Sequence, residues 1–371
     1  MAIPRKRQFD KKKINTLHIY NRTVRHAFLM RKNDEDENHC VRKSIYLNRF
    51  KFLLKVFSME SLSYCIMDNH YHLIIRTRPD LVDSWSREEV ARRWWQLYPR
   101  KRDAQGHPAV PTQDELDLVF FDQTGRQTPE QRCEVLRERL ADVSWFMKSL
   151  NEYASKVYNK QENCRGAFWE GRYKSQLLAD QSAVLAGSVY VDLNPIRAGL
   201  AETPEESAYT SGQVRCRSRI AKRKLEKLRQ KCRRKKENQE HRREIQELKN
   251  RIEKEANESK WLSPMKAADL SKPYVGVGSL LKVDEEDYLK LLDWTGRQLH
   301  KGKVGRIPKD LDSILTRMEV QAENWLETVQ KYDHWFYRFV GKVQKITELA
   351  KERGKKWLAG TTAAKKAFTI P

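Results

Sequence analysis

Two short apolar runs, residues 62–67 and 70–76, flank Asp68-Asn69, a dipeptide suited to a hairpin turn. A chain carrying this signal between two helical patterns is committed to mixing sheet and helix. Upstream, residues 16–22 alternate as a strand, and residues 41–57 place Leu47, Phe50, Leu54 and Phe57 on one helical face. Downstream, Ser86 with Glu89 makes a capping box that opens a helix bearing Trp94 and Trp95. Residues 99–129, rich in Gln, Gly, Pro and Asp, read as an insertion with little packed structure. Residues 142–158 form another amphipathic helix, and 167–178 are strand-like. Asp180 then caps a helix that reaches Asn194 and is stopped by Pro195. Strand, helix, hairpin, helix, strand, helix predicts an α+β, ferredoxin-like sandwich with an antiparallel sheet and its helices on one face.

Charge is unevenly spread along the chain. Lys plus Arg is 73 against 50 Asp plus Glu, a net +23 that favours a polyanionic partner. Residues 215–236 hold thirteen Lys or Arg and one acid, so +12 sits in 22 residues. From 237 to 256 six acids face five bases. The absence of Gly and Pro and a thin apolar stripe (Leu225, Leu228, Cys232, then Ile245, Leu248, Ile252) predict a largely exposed helical arm. Its first half reads as a phosphate-contacting surface, with Arg223, Lys224, Arg233 and Arg234 as candidate contacts; a solvated helix joining two domains is the alternative. The expected division is an α+β domain over 1–79 and 140–210, an insertion at 80–139, the arm at 211–260 and a mainly helical accessory domain at 261–371. No run approaches the roughly 18 apolar residues of a membrane span, and no apolar stretch follows the basic residues 1–13, so neither a membrane span nor a secretory signal is expected. Six scattered cysteines form no Cys-x-x-Cys pair, which suits a reducing cytoplasm better than a zinc ribbon or a disulfide scaffold.

His70 and His72 stand at alternate positions of a strand, so both imidazoles project from one face and can chelate a divalent ion. Alone, the pair is equally what two histidines hydrogen-bonded within a sheet would give. Tyr190 and Asn194 lie four apart and share a helical face, so a phenol and an amide oxygen project together. With a metal held by the imidazoles, Asn194 offers a third ligand and Tyr190 a nucleophile. Otherwise Tyr190 packs in the core and Asn194 ends the helix. Arg22, Arg76, Arg172 and Lys174 lie near these motifs and are candidates to hold phosphates, or are surface charges.

Three motifs in order carry a resemblance. They are Asp68-Asn69-His70-Tyr71-His72-Leu73-Ile74-Ile75, Phe168-Trp169-Glu170-Gly171-Arg172-Tyr173-Lys174-Ser175 and Tyr190-Val191-Asp192-Leu193-Asn194-Pro195-Ile196-Arg197-Ala198-Gly199-Leu200. Together they closely resemble the HUH single-tyrosine transposases, in the branch of the REP-associated tyrosine transposases, over residues 14–78 and 140–205. The resemblance implies an HUH endonuclease core, with His70, His72 and Asn194 on Mg²⁺ or Mn²⁺ and Tyr190 as nucleophile. It also implies cleavage of single-stranded or hairpin DNA through a 5′-phosphotyrosine bond and a cytoplasmic setting beside a bacterial nucleoid. Short relatives are homodimers, and monomer or homodimer stays open here because the extra domains can block or replace that interface. Tyr173 is the rival nucleophile. A relaxase-like or replication-initiator nickase, and a host-adopted hairpin-binding protein without catalysis, are the other functions these features admit. The arm and the C-terminal stretch fall outside the resemblance.

Overall fold

The computed structural model describes residues 8–31, 41–232, 239–265, 276–277, 283–301 and 308–368. Strand β1 (Ile14–Arg22) runs through the middle of the sheet, with Leu17 and Ile19 buried on one side and His18 on the other. Helix α1 (Val41–Val56) buries Tyr46, Phe50 and Leu53. The expected stripe is therefore rotated, and Leu47 and Leu54 sit half-buried at its edge. The hairpin forms as read, from β2 (Met59–Ile66) and β3 (His70–Thr77).

The stretch expected to carry little packed structure is a correction. Helix α2 (Pro79–Val82) precedes α3 (Arg87–Leu97), which forms as expected from its capping box; residues 99–129 then hold α4 (Gln113–Asp117) and a 3-10 turn (Leu118–Phe120), and α5 (Pro129–Ala141) follows. Leu116, Phe120, Cys133 and Leu136 are buried in the same core as α1. Reciprocal capping boxes, Thr112 with Glu115 and Thr128 with Gln131, start two of these helices inside a Gly- and Pro-rich segment whose composition hides them.

Helix α6 (Val143–Gln161) packs beside α1, and β4 (Lys174–Leu178) completes the first four strands. Strand β4 is shorter than expected, because upstream of it Trp169 meets the sheet only through an isolated bridge to Thr23. The spatial order is β2-β3-β1-β4, and each of these pairings is antiparallel. Helix α7 (Gln181–Asp192) lies on the other face, so helices cover both faces rather than one. Strand β3 shows why: Tyr71, Leu73 and Ile75 enter the core under α1 and α6, while Ile74 enters the core under α7. Pro195 does not end the helical path either. It stands in the first turn of α8 (Asn194–Arg197), where a missing N–H loses no bond.

Helices α9 (Ser211–Cys232) and α10 (Gln239–Ala256) pack against each other as a two-helix arm. The start of α9 is internal, however. Arg215 is 1% exposed and donates to Glu285 and to the carbonyls of Leu62 and Ser263. Strands β5 (Gly276–Val277) and β6 (Phe339–Val340) pair in parallel with β1 and β4. The remaining helices are α11 (Glu285–Lys301), α12 (Lys309–Arg317), α13 (Trp325–Gln330), α14 (Tyr332–Trp335), α15 (Val343–Glu352) and α16 (Thr361–Ala367). The C-terminal stretch expected to stand apart shares one core with α7, where Tyr288, Leu292, Trp325 and Tyr332 join Val184, Val189 and Tyr190. Every residue of α7 from Ser182 to Asp192 is buried, and a helix buried all round needs cover on the side away from the sheet. Among the described residues no helix is long and apolar enough to cross a membrane.

Candidate functional site

Register brings the chemistry to one face of the sheet. Arg22 stands opposite His70, Tyr20 lies between His72 and Lys174, and His18 lies between Ile74 and Gln176. Helices α7 and α8 roof this face with Tyr190, Asn194 and Arg197, and α14 closes it with Asp333 and His334. The cleft between them has a volume of about 530 Å³. Five of the chain's nine histidines line it: 18, 26, 70, 72 and 334.

A chain of hydrogen bonds fixes the imidazoles. The Gln176 amide nitrogen donates to Phe336 O at 2.6 Å, which turns its Oε1 toward His18 Nδ1 at 2.7 Å. His18 Nδ1 is then the donor, and its Nε2 accepts from His72 Nδ1 at 2.9 Å. The lone pair of His72 is left on Nε2. His70 behaves alike: Asn69 Nδ2 donates to His26 O, and Asn69 Oδ1 accepts from His70 Nδ1 at 2.6 Å. Burial pushes the His18 pKa down to about 4 and lowers those of His70 and His72, His72 further still because His18 and His70 stand beside it. Neutral rings with an oriented lone pair are the form that binds a metal.

His70 Nε2 lies 3.3 Å from Asn194 Oδ1. With Nδ1 as the donor, two acceptors face each other, and a cation between them or a turned amide reconciles the pair. The donor set of two imidazoles and one amide oxygen fits a divalent ion with positions open for phosphate oxygens and water. Among the described residues no group of three His, Cys, Asp or Glu side chains is placed to hold a metal.

Tyr190 is 3% exposed and meets the edge of His72, with ring centroids 5.5 Å apart. Its other face stacks on Tyr332 at 4.7 Å, and Arg197 lies over its ring at 4.5 Å. Burial pushes the phenol up to about 12, while the Arg197 charge pulls the other way. Arg197 is held by the Gln330 carbonyl at 2.9 Å and by Asp333 at 3.7 Å. Asp192, fully buried, anchors the end of α7 by accepting from Ser211 Oγ, Gly212 N and Tyr288 Oη.

Of the other expected residues, Arg22 and Lys174 line the cleft. Arg172 is exposed in the bend before β4 and lines no part of it. Arg76 is a correction: it is 0% exposed, lies 3.8 Å from Glu60, and reaches no incoming phosphate. Tyr173 is buried in the α6 core on the opposite face, with Oη 3.5 Å from Ser144. Arg223 and Lys224 are exposed on α9, Arg223 within 3.5 Å of Glu286, and Arg233 and Arg234 lie outside the described residues. Three contributions were not read from the sequence: His18, Arg197 and the α14 wall. The alternation of β1 already puts His18 and Tyr20 on one face, and Arg197 sits inside the third motif; α14 carries no local signal. No protein-family model, curated protein or solved structure matches the chain.

Proposed function

We propose that the chain is a metal-dependent endonuclease and strand transferase of single-stranded DNA, on a ferredoxin-like HUH core of the REP-associated tyrosine transposase kind. One observation carries the reading: His70, His72, Tyr190 and Asn194 line one cleft, with His70 and Asn194 124 positions apart in sequence and 3.3 Å apart in space. The antiparallel order β2-β3-β1-β4, built from β-α-β-β-α-β, supports the core assignment.

His70 Nε2, His72 Nε2 and Asn194 Oδ1 would hold Mg²⁺ or Mn²⁺, which supplies positive charge to polarise a scissile phosphate. Arg22 and Lys174 draw the flanking phosphates into the cleft. Tyr190 Oη attacks phosphorus and loses its proton, the P–O3′ bond breaks, and the leaving 3′ oxygen gains a proton. The products are a 5′-phosphotyrosine and a free 3′-hydroxyl, and the reverse displacement rejoins a strand without an external energy source. Arg197 stabilises the developing tyrosinate. Tyrosine and imidazoles face each other within one chain, so the reading needs no second copy to complete the site. A hairpin-bearing single strand labelled at its 5′ end should, with Mg²⁺ or Mn²⁺, release a labelled fragment ending in a 3′-hydroxyl. Cutting that persists in EDTA contradicts the metal role.

A further inference from the structure

On the side of the sheet away from the cleft, the outer surface of α1, α3, α5 and α6 carries a run of rings alternating with cations. Arg139 and Lys148 lie over the Trp145 ring at 4.4 and 4.9 Å. Trp94 sits between Trp145 and Tyr98, with centroid distances of 5.8 and 5.0 Å. Arg49 lies over Tyr153 at 4.7 Å. Tyr98 is 47% exposed and Tyr153 40%, so both offer ring surface to a ligand. Burial lowers the pKa of Arg49 and of Arg139, with Arg102 beside the first and Arg132 beside the second pushing the same way, while Glu152 stands near Lys148. Arg49 Nε is buried without an acceptor among the described residues. Repelling cations with open rings between them complement a ligand that brings phosphates and flat bases together.

We propose that this surface binds single-stranded nucleic acid, stacking unpaired bases on Tyr98 and Tyr153 while Arg49, Arg139 and Lys148 take its phosphates. Duplex DNA offers the charge without the free base faces, and an acidic peptide offers charge without stacking. The proposal gives the 80–139 stretch, source of Trp94, Tyr98 and Arg139, a role in holding strand away from the cleft, and it stands independently of the reading of Tyr190.

The test is fluorescence anisotropy on the full chain in EDTA, with labelled oligothymidylate and oligouridylate of about 20 nucleotides. Tyr98→Ala/Tyr153→Ala should weaken binding roughly tenfold or more, since each stacked base contributes on that scale. Tyr98→Phe/Tyr153→Phe keeps the ring faces and should bind within about twofold of the parent on the same principle. A loss on both probes assigns the surface to either sugar, and a loss on oligothymidylate alone assigns it to DNA. Independently of the variants, a 5-iodouracil strand irradiated on the parent should crosslink to peptides containing Tyr98 or Tyr153. An alanine variant that binds as the parent does, equal affinity for a duplex of the same length, or crosslinks confined to the cleft would each overturn the proposal. Because EDTA removes cleavage from the assay, a chain that cuts nothing can still pass, and one that cuts can still fail.

Discussion

Tyr190 is enclosed by Tyr332, His18 and His72 and lies under the Arg197 guanidinium. Burial alone drives a phenol away from ionisation, so the cation over the ring decides how much tyrosinate exists near neutral pH. With its pKa at about 12, Tyr190 is almost wholly protonated in any ordinary assay, and its ionised fraction rises tenfold per pH unit. Removing Arg197 pushes the pKa further up. Arg197→Met should therefore slow formation of the covalent adduct roughly 10- to 100-fold at fixed pH and move the pH–rate curve to the alkaline side. Arg197→Lys should recover part of the rate, because a point charge replaces a planar one. An unshifted pH–rate curve in Arg197→Met would remove this role from Arg197.

At the scale of elements, α7 is wedged between the sheet and α14. A Cβ at Gly187 would come within 2.9 Å of Tyr332 Oη and 3.4 Å of both Ile74 and Leu178. Gly to Ala inside a helix ordinarily gains about 1 kcal/mol. Here overpacking of about 1–3 kcal/mol opposes that gain, and Gly187→Ala should lower the thermal midpoint rather than raise it. The arm illustrates what sequence reveals and what it hides. Its helices were legible from the absence of Gly and Pro over 215–256. That part of its charge is internal was not, because the partners Glu285 and Glu286 come 63 to 70 positions later, and bind Arg215, Arg219 and Arg223. Lys224 and Lys227 are exposed on α9. Changing both to Gln should flatten the salt dependence of single-strand binding by about 1.4, at about 0.7 per contact. Arg219→Gln should leave that slope unchanged and lower stability instead.

Across the whole molecule, the site belongs to both halves of the chain. Local alternation and helical spacing put His70 with His72, and Tyr190 with Asn194, on shared faces and made the four antiparallel strands legible; the roles of metal ligand and nucleophile came only from the resemblance carried by the three motifs. The second core was not, since contacts such as Tyr332 on Tyr190 arise only from packing between remote segments. One clue was present: residues 183–191 contain no charged side chain, so α7 has no face suited to water. A chain ending at Met265 would uncover that helix, and it should fail to melt cooperatively or stay soluble; a stable, cooperative fragment would show that the two cores are separable. The central claim is that Tyr190, facing His70 and His72, forms the covalent link to DNA. Peptide mapping by mass spectrometry of the adduct trapped on a hairpin-bearing single strand with Mn²⁺ tests it most directly. The account predicts a nucleotide-modified peptide carrying Tyr190, lost in Tyr190→Phe and in His70→Ala/His72→Ala and retained in Tyr173→Phe; an adduct on Tyr173, or one that survives Tyr190→Phe, would contradict it.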